Sequence, residues 1–239
     1  MAYPKLLLLH GFLETENMWQ FLQPALPKGV KTEAVKLPAS YPGLPLMKSI
    51  PETASDIWNS FQGATFLLGH SMGGYIAVEM ALQQPHRVEG LCMFHSTAAA
   101  DSPEKKADRL RAIEAVKNNK SRYVRTMINS LFAKSAVGMP GPDEMISHAE
   151  SLETEQIVSC LHAMMQREDH CRALSRRSFP LYYFLGTRDV RLPVEAMVEE
   201  LRQLPGSLSH FSDGTGHMGH VESPQESIEF VKRILLAHR

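Results

Sequence analysis

Apolar and polar positions along the chain follow two alternating rhythms. Short apolar runs such as "KLLLL" (5–9) and "ATFLL" (64–68) suit strands buried on both faces, as do "RVEGLCMFH" (87–95) and "PLYYFLG" (180–186). "KTEAVKL" (31–37) alternates as a strand does and is ended by Pro38, Pro42 and Gly43, and "SLSHFS" (207–212) predicts another strand. Helical spacing separates these runs. "IPETASDIWNSF" (50–61) carries Pro51 near its start, and residues 72–84 are closed by Pro85. Further helices are predicted near 194–204 and from about 224 to 237. "ENMWQFLQPAL" (16–26) predicts a helix interrupted at Pro24.

The alternation breaks between 101 and 176, where no convincing strand is found. "SPEKKADRLRAIEAVKNN", "RYVRTMINSLFA", "PDEMISHAESL" and "EQIVSCLHAMMQRED" each predict a helix instead. Repeated strand–helix units imply an α/β fold with a mostly parallel sheet and helices on both faces. The expected organisation is a core of residues 1–100 and 177–239, with 101–176 inserted as a helical lid.

Composition narrows the function classes. A chain of 239 residues is long enough for one large domain carrying an insertion. A net charge of -1 gives no electrostatic reason to expect nucleic acid or an anionic membrane as partner. No apolar run approaches the roughly 20 residues of a membrane helix, and "KLLLL" is too short for a secretory segment. Cys92, Cys160 and Cys171 are odd in number and contain no C-x-x-C pair, so the expectation is reduced thiols in a cytoplasmic protein. A monomer or a homodimer is expected.

Chemistry concentrates where predicted strands end. "LLGHSMGGYIAVEMA" (67–81) places G-x-S-x-G between an apolar strand and a helix, a turn that lifts a serine hydroxyl above a sheet. The motif alone is weak, and a serine cap in a Gly-rich turn is the bland reading. A serine hydroxyl is a poor nucleophile near neutral pH and needs a base, itself oriented by an acid. "YYFLGTRDVRLP" puts Asp189 just past a strand, and "FSDGTGHMGHVESPQE" puts His217 after the last one. Serine, acid and histidine thus follow one of the known triad orders. Asp213 rivals Asp189 because it lies close to His217 in sequence. His217 and His220 could share a metal, but no H-E-x-x-H and no clustered third ligand accompany them, so no metal is expected.

Four stretches, "LLLHGF", "GHSMGG", "GTRDVRLP" and "GHMGHVESP", resemble the oxyanion-loop, nucleophile-elbow, acid-loop and histidine-loop motifs of the α/β-hydrolase family. The resemblance covers nearly the whole chain. It implies an α/β-hydrolase fold, Ser71, Asp189 and His217 as the catalytic triad, and the backbone amides of Phe12 and Met72 as the oxyanion hole. It also implies a serine hydrolase acting on a small-molecule ester or thioester; no G-x-G-x-x-G or P-loop pattern occurs, so no cofactor is expected. A lactonase, C–C hydrolase or lyase reaction, or a non-catalytic receptor, remains open on the same fold. The chain starts at the "HGF" strand without the family's leading hairpin, so about six strands are expected. "VKLPASYPGLP" replaces the family's usual D-x-x-G-x-G-x-S segment, which leaves the substrate open.

Other residues carry narrower expectations. His95 is placed at a strand end as a candidate pocket residue, against ordinary packing. Met127, Leu131 and Met164 are candidates for an apolar acyl pocket, against lid core, as are Phe132 and Met165. His10 and His70 are expected to brace loops, and Glu222 and Pro224 to organise the last helix. Lys105, Lys106, Arg109, Arg111, Arg122 and Arg125 read as a solvated face, or as a source of one arginine for a substrate carboxylate.

Overall fold

The computed structural model describes residues 5–133 and 142–237. Six strands, β1 (Lys5–Leu9), β2 (Thr32–Val35), β3 (Thr65–His70), β4 (Val88–Phe94), β5 (Leu181–Gly186) and β6 (Leu208–Ser212), form one sheet in the order β2-β1-β3-β4-β5-β6. Every neighbouring pair is parallel. The helices are α1 (Ile50–Ser60), α2 (Met72–Gln83), α3 (Pro103–Asn118), α4 (Lys120–Asn129), α5 (Pro142–Ser151), α6 (Thr154–Met165), α7 (Cys171–Leu174), α8 (Val194–Arg202), α9 (Gly219–Glu222) and α10 (Pro224–Leu236).

Side-chain alternation along the strands builds two apolar layers. Leu7, Leu67, Leu91 and Leu181 stand in register on one face, packed with Ile57 of α1, Ile76 of α2 and Met197 of α8. Leu8, Leu68, Cys92 and Tyr182 share the other face with Phe230, Ile234 and Leu235 of α10. Because both faces are covered, β1 and β3 can be apolar throughout, as "LLLL" and "FLL" are.

The 16–26 stretch departs from the expected helix. It forms two 3-10 turns, Glu16–Phe21 and Gln23–Ala25. Pro24 has no N–H to continue an α-helix. Residues three apart eclipse in the tighter turn, which brings Trp19 and Leu22 together into the layer under β1. Helix α4 also stops earlier than expected, because the Ser130 hydroxyl donates to the Met127 carbonyl at 2.6 Å and turns the chain.

From β1 the chain moves outward to β2, then crosses back to β3 on the other side. The loops after β1 and β3 therefore diverge and open a crevice at the carboxyl edge of the sheet. Between β4 and β5 the described chain is helical, α3 to α7, and Arg167 ties the stretch after α6 to the segment that follows β4. Its guanidinium donates to Asp101 at 2.8 Å, to the Met164 carbonyl at 2.9 Å and to the Ala99 carbonyl at 2.9 Å. Among the described residues no helix is long and apolar enough to cross a membrane.

Candidate active site

Strand β3 ends at His70, and α2 begins at Met72, so the chain must reverse within Ser71. Ser71 has φ 49 and ψ -115, a conformation that L-residues avoid and that costs roughly 1–3 kcal/mol. Two glycines make the turn feasible. A Cβ on Gly69 would lie 2.3 Å from the Gly73 carbonyl oxygen, and one on Gly73 would lie 2.3 Å from that of Leu9. The Ser71 amide donates to the Phe94 carbonyl at 3.0 Å, and Ser96 Oγ donates to the Ser71 carbonyl at 2.8 Å. The turn is thus held from β4.

Two distant loops converge on this serine. The Ser71 hydroxyl lies 2.9 Å from His217 Nε2, and His217 Nδ1 lies 2.6 Å from Asp189 Oδ2. Asp189 and His217 are each 4% exposed, so water does not compete for these bonds. Asp189 also accepts from the amides of Arg191 at 2.8 Å and Leu192 at 3.2 Å, and from His95 Nδ1 at 3.3 Å. Burial alone would raise its carboxyl, but the charge and hydrogen bonds of His217 and His95 outweigh that and hold it well below the usual carboxylate range. With Nδ1–H committed to a carboxylate, His217 Nε2 is left as an acceptor for the serine proton.

A cavity of about 220 Å³ opens over Ser71. Phe12, Met127, Leu131 and Met164 lie in its wall with Tyr75 and Leu161. Met72 buries its side chain in the core, while its amide, the first of α2, has no acceptor within the helix. Arg109 and Lys105 reach the wall too, but the Arg109 guanidinium is engaged by Asp101. Arg125 pairs with Glu150 and Arg111 with Asp108, on the solvent side.

The expected pocket position of His95 is corrected. It is fully buried and lies behind Asp189, because φ 46 turns it off the line of β4. Burial pushes its imidazole down to about 4, partly offset by Asp189, so it is a neutral donor. Glu222 also differs from expectation. Rather than starting α10, where Pro224 stands at the first turn, it accepts from the amides of Ala133, Gly216 and Met218 at 2.9, 3.1 and 3.1 Å. It thereby braces the His217 loop. Asp213 is exposed and accepts from Thr187 Oγ1 at 3.1 Å, away from His217.

Glu14 is a site residue that the sequence reading missed. It is buried in the wall beside Ser71, where Oε2 accepts from the Gly11 amide at 2.6 Å and from His70 Nδ1 at 2.7 Å. The available signal was its place three residues after Gly11 in the "HGF" loop. His10 bonds the Gly11 carbonyl at 2.9 Å and accepts from the Leu37 amide at 3.3 Å, bracing the same loop. Among the described residues two groups of metal-type ligands converge within 4.8 Å, Glu14 with His70 and His220, and His95 with Asp189 and His217. In both, carboxylate and imidazole are already hydrogen-bonded to one another.

A sequence model of the family described as "Alpha/beta hydrolase family" matches residues 6–230. The chain is 26% identical over 250 residues to the biotin biosynthesis bifunctional protein BioHC of Cellvibrio japonicus. That match covers 97% of the chain but only 47% of BioHC, so the chain spans about half the length of that relative. It is 23% identical to a pimeloyl-[acyl-carrier protein] methyl ester esterase of Neisseria meningitidis, covering 93% of the chain and 90% of the relative. Its fold superposes on a thermophilic esterase from Thermogutta terrifontis with a TM-score of 0.85 and 24% identity, over 99% of the chain and 91% of that structure.

Proposed function

The chain belongs to the alpha/beta hydrolase family, and on that premise we propose that it hydrolyses a small carboxylic ester or thioester through a Ser71–His217–Asp189 triad. The observation that carries this reading is the unbroken hydrogen-bonded path from the Ser71 hydroxyl through His217 to Asp189 at the floor of a cavity. Relatives named as methyl ester esterases support the same reaction class. Their acyl-carrier-protein substrate is not needed to explain the residues seen here.

In this reading His217 Nε2 takes the Ser71 proton as Oγ attacks the substrate carbonyl. Asp189 holds the imidazole in the tautomer that leaves Nε2 free, and stabilises the imidazolium that forms. The amides of Phe12 and Met72 receive the negative charge on the carbonyl oxygen, and the N-terminal end of α2 adds its partial positive charge. His217 then gives its proton to the departing alcohol or thiol. Water, activated by the same imidazole, attacks the acyl-enzyme, releases the acid and restores Ser71. Met127, Leu131, Leu161 and Met164 would pack against the acyl chain. Residues 101–176 would then act as the lid that sets acyl length, with 1–100 and 177–239 as the catalytic core.

The test is Ser71→Ala assayed on short-chain p-nitrophenyl esters. Turnover should fall by several orders of magnitude. A fluorophosphonate should label wild type at Ser71 and leave the variant unlabelled. Wild-type activity in the variant, or a label on another serine, sinks the proposal.

A further inference from the structure

Three pieces of the proposed machinery, the Gly11–Phe12 loop, Ser71 and His217, come from three separate loops, and one buried pair touches all of them. Glu14 Oε2 accepts from the Gly11 amide, whose neighbour is Phe12. It also bonds His70 Nδ1, and His70 immediately precedes Ser71. The other ring nitrogen, His70 Nε2, lies 3.0 Å from the backbone carbonyl of His217.

Hydrogen-bond geometry narrows the state of His70. A carbonyl oxygen can only accept, so Nε2 must carry a proton. At Nδ1 two arrangements satisfy the contacts: an imidazolium donating to an ionised Glu14, or a neutral ring accepting from a protonated Glu14 hydroxyl. The mutual attraction of the two charges favours the first, with Glu14 ionised and His70 donating from both ring nitrogens. From these contacts we infer that Glu14 and His70 are positioning residues, a buried carboxylate–imidazolium clamp that fixes the His217 backbone relative to Ser71 and the Phe12 amide. The inference rests on the ester-hydrolase reading above. Neither residue forms a bond with the substrate in it.

The surroundings agree with this assignment. Burial alone would lower His70, but the Glu14 charge and hydrogen bond, with the His217 carbonyl, raise it above the ordinary histidine value. Glu14 is held down to about 2 by His70 against its own burial. The other titratable groups facing the clamp are His10 from the loop after β1, His217 from the loop after β6, His220 from α9, His95 from the end of β4, and Asp189, which contributes at longer range. His220 is pushed down to about 3 by burial and His95 to about 4, so both are neutral. His70, with the Glu14 carboxylate against it, is held as a cation beside these two neutral imidazoles. Raising the pH through its elevated titration removes one of its two donated bonds, which predicts an alkaline fall in kcat.

The experiment compares wild type, Glu14→Gln and Glu14→Asp on p-nitrophenyl acetate across neutral and alkaline pH, corrected for spontaneous hydrolysis. Glu14→Gln keeps the side-chain shape but removes the charge that retains the second His70 proton. Its kcat should fall about tenfold or more at neutral pH with KM changed by less than about twofold, and its profile should lack the alkaline fall. Glu14→Asp, which keeps a carboxylate, should recover part of kcat and the fall. A Glu14→Gln enzyme with wild-type kcat and an unchanged alkaline limb overturns the clamp, even if its melting temperature drops. Should that variant not fold, long-range 1H–15N spectra of wild type, with His70 assigned by comparison with His70→Gln, give the answer directly. Two ring protons at neutral pH support the clamp, and one overturns it. A wild-type enzyme that neither cleaves esters nor takes up a fluorophosphonate would refute the ester reading instead, with the His70 spectrum still deciding its charge.

Discussion

Asp189 accepts four donors, two backbone amides and two imidazoles, and this saturation is what keeps it a carboxylate inside the fold. Asp189→Asn would present an amide N–H where His217 needs an acceptor, or turn its carbonyl in and lose the backbone amides. Ester turnover by the variant should drop by roughly three to four orders of magnitude with little change in KM, as steady-state kinetics would show. Single residues were legible where they sat in a short motif at a strand end, as Ser71, Asp189 and His217 do. Glu14 was not, because a lone carboxylate in a loop carries no signal until folding brings it 2.7 Å from His70, 56 positions away. His95 was misplaced for a related reason. Strand periodicity predicts which way a side chain points only while the backbone stays extended, and φ 46 breaks that rule.

At the scale of elements, the loop carrying His217 is fixed from outside itself. Its amide donates to the Leu131 carbonyl at 2.7 Å, just beyond α4, and Glu222 gathers three further amides from both segments. These bonds tie the segment that follows α4 to the histidine loop. Glu222→Ala leaves those three N–H groups without their acceptor, and should cost roughly 1–3 kcal/mol in thermal or denaturant unfolding. Its kcat should fall about tenfold because the imidazole loses its support, whereas Glu222→Gln, which retains an acceptor oxygen, should keep most of both. Strand positions were read well from apolar runs, since a strand buried on both faces needs little else to declare itself. The 16–26 stretch was read as the wrong kind of helix. Its periodicity suited either form, and packing Trp19 and Leu22 into one layer selected the tighter turn.

Across the described residues, several histidines are wholly or partly buried. Burial lowers His10, His95, His148 and His220 below the ordinary histidine value, whereas carboxylate partners raise His70 and His170. Below about pH 6.5 the unfolded chain protonates all six, but the folded protein keeps His95, pushed down to about 4, and His220, pushed down to about 3, neutral well below that pH. Stability should therefore fall on acidification from about pH 6.5 towards pH 4, by up to about 1.4 kcal/mol per pH unit for each refused proton. The raised pair acts oppositely, contributing stability that is full below about pH 6.5 and is lost as pH rises through their folded values. A melting series from pH 4 to 8 measures the slope. His220→Gln should flatten its acid side, and an unchanged slope would remove His220 from the account.

By itself the sequence determined the α/β class, the six strands, the serine turn and the serine–acid–histidine order. Each of these is written in local patterns: apolar runs, glycine spacing, and polar residues just past strand ends. Tertiary structure alone decided that Glu14 and His70 meet, that Glu222 braces the histidine loop and that His95 lies beneath Asp189. Those contacts join residues from different loops, and the distance between them is set by how the sheet orders its strands, with β1 beside β3 and the β6 loop folded over both.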